Sequence, residues 1–294
     1  MSALIRFRAE LGDWLQRALD EGLAPPALVQ KMIDEHMQPA VAHAIVDAFV
    51  GARRDGVAAP VDSLVVDDAP VFFREAPLMK PGATVPTSDG PVRVLARGGG
   101  PNLALVGGLL SPAECEALVA LARPRLAPST VVDPQTGQDV VAGYRHSLGM
   151  FFRPAETDFI ARLDRRFAEV MNLPVGNGEG LQVLCYGAGG VTSPHYDFVA
   201  PTNAASEASL ARSGQRVSTL LAYLTDVEAG GETVFPRAGW SVQPARGHAV
   251  YFESCNSRGQ LDPLSLHAGQ PVARGEKWVV TKWMRQRPFV ARGA

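Results

Sequence analysis

Little in this sequence points to a disulfide-built, membrane-spanning or strongly charged protein. Only three cysteines, Cys115, Cys185 and Cys255, occur in 294 residues. Their wide spacing and odd number give neither a disulfide framework nor CxxC metal spacing. No apolar run approaches the roughly 18 residues that a membrane span needs. The N-terminus, MSALIRFRAELGDWLQRAL, carries charges every few residues, where a secretory signal needs an unbroken apolar core. Neither sign of charge prevails, with 28 Lys and Arg against 30 Asp and Glu. Attraction to nucleic acid or an anionic membrane through bulk charge is therefore not expected. No internal repeat or low-complexity tract occurs. A chain that is 46% hydrophobic and 20% charged is ordinary for a globular protein, and a cytoplasmic one is expected. Its length allows one large domain, or one domain with an appendage.

Three regions differ in composition. Residues 1–56 form a helical N-terminal region. Leu4, Phe7, Leu11, Trp14, Leu15 and Ala18 recur at three- and four-residue intervals, one apolar stripe. Pro25 and Pro26 break the chain. Leu28, Val29, Met32 and Ile33 mark a second short helix, and Val41, Ala44, Ile45, Ala48 and Phe49 a third, ended by Gly51 or Gly56. Such helices read as an interaction or dimerisation appendage. Residues 57–101 repeat proline and end in Gly98-Gly99-Gly100, the composition of a linker or meander. Within them, Val71–Phe73 and Val92–Leu95 have the character of edge strands.

From residue 102 to 294 the pattern becomes short strands with a few helices. Ser111-Pro112-Ala113-Glu114 is a capping box with proline at the first helical position, opening a helix to about Ala122. Phe159, Ile160, Leu163, Phe167, Val170 and Met171 define a second amphipathic helix. Strand patterns follow at Leu181–Tyr186, Arg216–Leu224, Thr233–Phe235, Ala249–Phe252 and Trp278–Met284. A hairpin is expected within Val131–Val141, around Asp133-Pro134-Gln135-Thr136-Gly137. Many short strands punctuated by Gly and Pro predict a sandwich or jelly-roll barrel with helices outside it.

The chemistry begins at His195-Tyr196-Asp197. On a strand, residues i and i+2 share a face, so the imidazole and the carboxylate converge while Tyr196 points away. Alone this is weak, since His-x-Asp is often an ordinary surface pair. His267 follows 72 positions later. Two histidines and one carboxylate can form a facial triad that leaves positions open on non-haem iron. Turn residues between Gly269 and Gly275 let the chain double back and set Lys277 beside the His267 strand. Lys277, Val279, Thr281 and Trp283 then share one face. A buried lysine without a carboxylate partner is costly, so its presence inside a barrel points to an anionic ligand.

Five ordered motifs now resemble the prolyl 4-hydroxylase family of Fe(II)/2-oxoglutarate dioxygenases. They are Tyr144-Arg145-His146-Ser147-Leu148-Gly149-Met150-Phe151; Leu184-Cys185-Tyr186-Gly187 with His195-Tyr196-Asp197; Gly230-Gly231-Glu232-Thr233-Val234-Phe235-Pro236; Leu266-His267-Ala268-Gly269; and Gly275-Glu276-Lys277-Trp278 through Thr281-Lys282-Trp283. The likeness runs from about residue 102 to 289. It implies an α+β fold with a double-stranded β-helix (jelly-roll) core, and His195, Asp197 and His267 as ligands of Fe(II). It implies that Lys277 pairs with the distal carboxylate of 2-oxoglutarate, assisted by Tyr186 and Thr233. Trp283 matches an aromatic near the ligands, and Arg216 and Arg145 match positions near the substrate groove. Thr192 stands where relatives often have tyrosine.

What the resemblance implies in function is hydroxylation of an unactivated C–H bond with release of succinate and CO2. O2 is the other cosubstrate, with ascorbate a candidate accessory reductant. The substrate it implies is a prolyl residue in a peptide or protein; a free amino acid or small metabolite is the alternative. The presence of Asp197 favours hydroxylation over halogenation, which in related enzymes replaces that carboxylate by halide. Thr130–Val141 and Val199–Gln215 read as mobile segments able to close over substrate. A non-catalytic metal- or sugar-binding jelly roll is the non-enzyme rival. A nucleic-acid demethylase is disfavoured, because the basic groove and the arginine that such enzymes use are not visible. Neither nucleic acid nor membrane is expected as a partner, and the oligomeric state is open. Of the remaining candidates, His36, His43 and His248 read as structural, Cys185 as a small buried apolar residue, and Cys255 as a loop residue open to solvent.

Overall fold

A computed structural model of the chain describes residues 2–67, 72–132, 139–141, 147–201 and 203–291. It divides into two compact units, Met1–Phe73 and Arg74–Ala294.

The first unit contains strand β1 (Ser2–Arg6), helices α1 (Ala9–Asp20), α2 (Pro25–Asp34) and α3 (Pro39–Asp55), and strand β2 (Ser63–Asp67). The three expected helices are present, and α3 ends at Gly56 in the left-handed conformation, with φ 64°, where glycine carries no Cβ penalty. The stripe's first members are not helical, however. Leu4 lies in β1, which pairs antiparallel with β2. Helical periodicity is a weak prior when a partner strand is available, and here that strand comes from residues whose composition looked like linker. Phe7 follows β1 and tilts against Phe49, with ring centroids 6.2 Å apart. Leu15, Leu28, Ile45 and Phe49 close an apolar core of this unit's own.

The second unit begins well before residue 102. Strands β3 (Thr84–Val85) and β4 (Val92–Gly99) lead into β5 (Asn102–Gly107). β3 pairs with β4 and β4 with β5, so this proline-rich stretch extends a sheet instead of linking domains. Of the expected edge strand Val71–Phe73, Val71 lies outside the described residues and Phe72 and Phe73 lie outside any strand. Helix α4 (Pro112–Ala122) starts on the expected capping box, Ser111 and Glu114 each bonding the other's backbone N–H. β6 (Ala127–Pro128), the hairpin β7 (Thr130–Val132) and β8 (Asp139–Val141), β9 (Leu148–Phe151) and α5 (Asp158–Met171) follow. Next come β10 (Gln182–Tyr186), β11 (Thr192–His195), α6 (Ala204–Ser213), β12 (Arg216–Tyr223) and β13 (Ala229–Gly230). The chain closes with β14 (Thr233–Phe235), β15 (Trp240–Val242), β16 (Ala249–Glu253), β17 (His267–Gly269), β18 (Val272–Arg274) and β19 (Lys277–Arg285).

Nine strands form the larger antiparallel sheet, in the order β3-β4-β5-β16-β12-β19-β10-β9-β6, and four form the smaller, β11-β17-β14-β15. This is the two-sheet jelly roll with helices that the sequence predicts. Two cores result. Ile160, Leu163, Phe167, Val183, Val280 and Trp278 belong to the one that includes α4 and α5. Leu103, Leu184, Tyr223, Phe235, Phe252 and Val279 belong to the other, which takes residues from both sheets. β19 is buried along its whole length, between β12 and β10. Alternate side chains therefore face different neighbours.

Two expectations change here. Val199–Gln215, read as a mobile lid, holds α6, capped by Asn203. α6 is tied to β19 and beyond: Arg285 donates to the Ser209 carbonyl and Arg287 to those of Leu210 and Ala211. Its base is closed by Gln215, whose side-chain amide exchanges two bonds with the backbone of Val199. Of the other segment the β7–β8 pairing is present, while residues 133–138 lie outside the described residues. Cys255 is buried rather than exposed, since its backbone bridges to Leu261. Burial pushes its thiol up to about 12, which makes it unreactive at neutral pH.

Candidate metal and 2-oxoglutarate site

The three residues of the expected triad meet. His195, Asp197 and His267 each offer a ligand atom, and these lie within 4.8 Å of one another. His195 Nε2 is 3.7 Å from one oxygen of Asp197 and His267 Nε2 is 3.8 Å from the other. The route differs from simple alternation, because β11 stops at His195 and Asp197 sits just past it, in a bend. β11 pairs with β17 so that His195 stands opposite His267, with rings 4.3 Å apart.

The surroundings prepare these atoms for a cation. His195 Nδ1 lies 2.9 Å from the Ser193 carbonyl and His267 Nδ1 3.0 Å from that of Ser265. A carbonyl only accepts, so each Nδ1 carries the proton and each Nε2 presents its lone pair. Phe235 and Phe252 pack beside the buried His267 ring. Thr219 on β12 donates a 2.7 Å hydrogen bond to Asp197. Burial raises the Asp197 pKa, but positive charge on the two histidines when they are protonated, the Arg216 guanidinium and the Thr219 bond act against it and lower it to about 2. With both imidazoles neutral, the Arg216 charge and the Thr219 bond still favour the carboxylate form. An anionic oxygen between two neutral imidazole nitrogens, with other positions open, suits non-haem Fe(II).

Lys277 lines the same cavity. It does not pair with the His267 strand, as the turn residues implied. After β18 the chain crosses to the larger sheet, where Lys277 lies opposite Tyr186 on β10. The ammonium reaches back into the barrel, 5.6 Å from the Tyr186 ring and 5.8 Å from that of Tyr223. It is 4% exposed, and no protein group among the described residues hydrogen-bonds it. Burial pulls its pKa down to about 8, against the opposing charge of Glu232. Two hydroxyl pairs flank it: Thr192 donates to the Tyr186 hydroxyl at 2.9 Å, and Tyr223 to that of Thr233 at 2.8 Å. A buried cation with hydroxyls on both sides fits a carboxylate.

Trp283 also lines the cavity, on the Lys277 face of β19, as does Thr281. Arg216 does not. Its guanidinium grips Glu179 through two bonds of 2.6 and 2.8 Å, lies 4.1 Å over the Trp283 ring and reaches the Asp197 carbonyl at 3.4 Å. It steadies the site from behind. Arg145 lies outside the described residues. Tyr196 points away as expected, stacked on Phe198.

Three supporting residues escaped the sequence reading: Thr219, Tyr223 and Glu179. Thr219 and Tyr223 lie on β12, which was visible as a strand. The alternation in Arg216–Tyr223 shows which side chains share a face, but not that this face meets Asp197.

The comparisons agree with this geometry. Residues 181–285 match the model of the 2OG-Fe(II) oxygenase superfamily. Prolyl 4-hydroxylase 1 of Arabidopsis thaliana is 45% identical over 202 residues, 64% of this chain and 70% of that protein. Prolyl 4-hydroxylase subunit alpha-1 of Rattus norvegicus is 40% identical over 179 residues, 61% of this chain but 33% of the relative. Among solved structures, the 2OG complex of the viral collagen prolyl hydroxylase from Paramecium Bursaria Chlorella virus-1 is 28% identical. It matches with a TM-score of 0.50 over 62% of this chain and 95% of that one. With the His-Asp-His cluster and the buried lysine in place, the chain belongs to the prolyl 4-hydroxylase family of 2-oxoglutarate- and Fe(II)-dependent oxygenases.

Proposed function

We propose that this protein hydroxylates a prolyl residue of a peptide or protein, with His195, Asp197 and His267 holding Fe(II) and Lys277 holding 2-oxoglutarate. The observation that carries the reading is that one cavity joins the three ligand atoms to a buried ammonium that no acceptor among the described residues satisfies. Metal alone would explain the triad, and a structural lysine would have an acidic partner. Only an anionic cosubstrate accounts for both.

Each residue has a task. His195 and His267 present Nε2 because Ser193 and Ser265 hold their other nitrogens. Asp197 supplies the negative charge, oriented by Thr219. Lys277 draws in the distal carboxylate, and the hydroxyls of Tyr186 and Thr233 complete its hydrogen bonding. When bound, Fe(II) and 2-oxoglutarate supply the oxygen-activating chemistry that hydroxylates a C–H bond and leaves succinate and CO2. Leu184, Leu221 and Val279 line the cavity and limit water around the reacting centre.

The test is incubation of proline-containing peptides with Fe(II), 2-oxoglutarate and air. Mass spectrometry should find a product heavier by one oxygen, about 16 Da, with stoichiometric succinate. The same assay with Asp197→Ala should find none. Succinate formation that no peptide stimulates would refute a prolyl substrate.

A further inference from the structure

His267 is held by a longer chain of contacts than the triad alone shows. It opens β17, and residues 254–266, which lead into it, have little regular structure. They contain an isolated bridge between Cys255 and Leu261 and a short 3-10 turn at Pro263–Ser265. Segments of this kind open locally at low cost, so a ligand carried at the end of one needs the segment itself to be fixed. The Ser265 carbonyl, which faces Nδ1 of His267, belongs to that turn, and Asp262 sets the turn's position. One Asp262 carboxylate oxygen accepts from the Leu264 N–H at 2.9 Å. The Asp262 carbonyl accepts from the Ser265 hydroxyl at 2.7 Å and from the Ser265 N–H at 3.1 Å.

Asp262 is 1% exposed, and a buried carboxylate needs a counter-charge. Arg74 supplies it, donating to the other carboxylate oxygen at 3.0 Å. The residues after Arg74 bind the same stretch of chain. Glu75 accepts from the Ser257 N–H at 2.9 Å and from its hydroxyl at 2.6 Å, and the Leu78 N–H donates to Glu253 at 2.6 Å. Residues 74–78 are thus a strap, tied to the end of β16, to Ser257 and to Asp262. They lie upstream of the motif-bearing stretch that begins near residue 102, and upstream of the family match at 181–285.

We propose that Arg74 is a positioning residue for the metal site, fixing the His267 imidazole through Asp262 and the Ser265 carbonyl, a role that rests on the Fe(II) reading of the triad. Arg74 does not line the cavity, and its effect passes along hydrogen bonds. Without it, Asp262 is a buried charge with no counter-charge from the strap, the turn loosens, and the Ser265 carbonyl no longer fixes the proton on Nδ1. Groups that hold a ligating histidine in one tautomer and orientation tune metal affinity in this way.

The experiment uses the full chain. Fe(II) affinity is read anaerobically from the visible band of the 2-oxoglutarate complex. The His267 tautomer is read from nitrogen NMR of the histidine-labelled, metal-free protein. The Arg74 side chain is 31% exposed, so Arg74→Met should fold. Arg74→Met and Asp262→Asn should each weaken Fe(II) binding by about 10-fold, the lower end for groups behind a metal ligand. The double variant should lose no more than either alone, because the two residues act as one unit. Both variants should show His267 as a mixture of tautomers, where the wild type carries the proton on Nδ1, and Arg74→Lys should restore most of the affinity. Lys282→Met, which loses a buried ion pair off this path, should keep the wild-type affinity in its folded fraction and so controls for lost stability. Unchanged affinity or an unchanged tautomer in Arg74→Met, multiplied losses in the double variant, or an equal loss in Lys282→Met overturns the inference while the metal site stands. A wild-type protein that gives no visible band with Fe(II) and 2-oxoglutarate overturns the metal reading itself.

Discussion

The two faces of β19 place lysines in opposite circumstances. On the helix side, Lys282 is fully buried, donating to Asp164 at 2.6 Å and to the Glu179 carbonyl. On the cavity side, five residues earlier, Lys277 is also buried but makes no such bond among the described residues. Burial lowers the pKa of both, and the Asp164 charge opposes this at Lys282. One lysine is part of the fold, and the other is an unsatisfied charge that the fold tolerates. Depth of burial alone would not distinguish them. The difference is whether the protein itself supplies the counter-charge.

Substitution by methionine should separate the faces most widely. Lys282→Met leaves Asp164 buried and unpaired, so it should cost about 3–5 kcal/mol of folding stability, measured by denaturant unfolding. The folded fraction should keep its KM for 2-oxoglutarate. Lys277→Met should do the reverse. It removes a desolvated charge, so stability should hold or rise, while KM for 2-oxoglutarate increases by about 100-fold, a loss of about 3 kcal/mol. Equal destabilisation by the two variants would erase the distinction.

A smaller effect probes the iron side. Thr219→Val removes the hydroxyl that orients Asp197 and should weaken Fe(II) binding by about 10-fold, the lower end for residues that hold metal ligands in place. Anaerobic titration followed by the visible band of the 2-oxoglutarate complex measures it, and unchanged affinity would make the 2.7 Å bond incidental.

The least expected effect is in pH. Lys277 is a cation below about 8, whereas an unfolded lysine stays charged to about 10.4. The cost of burying it is thus fully present below pH 8 and fades as pH rises toward the unfolded value, so this residue alone makes stability climb over that interval. Binding runs the other way. KM for 2-oxoglutarate should rise severalfold as pH passes above about 8, and Lys277→Arg should flatten that rise.

Local chemistry was read well from the sequence. Ser111 and Glu114 announce the start of α4 because a capping box needs only four consecutive residues. The bounds of β14 were read without error, and those of β10 and β12 to within one residue, because alternation and turn residues are local signals. Reading failed where an outcome depended on a distant partner. Leu4 looked helical until β2 was available to pair with it. Val92–Gly99 looked like linker, with only part of it having strand character, until β5 lay alongside. Arg216 looked like a groove residue, yet Glu179, 37 positions away, holds its guanidinium.

By itself the sequence determined which groups exist to do chemistry: two imidazoles, one carboxylate and one ammonium, in motifs whose order identifies the family. It also determined the alternation that puts Lys277, Thr281 and Trp283 on a common face. Only the tertiary structure decided that β11 ends in a bend bringing Asp197 against both histidines. It likewise decided that Lys277 approaches from the opposite sheet, and that Asp164 satisfies Lys282 while no described residue satisfies Lys277. The reason is physical. Periodicity and capping act over a few residues of chain, whereas the pairing of a buried charge depends on which distant strand or helix packing brings within 3 Å.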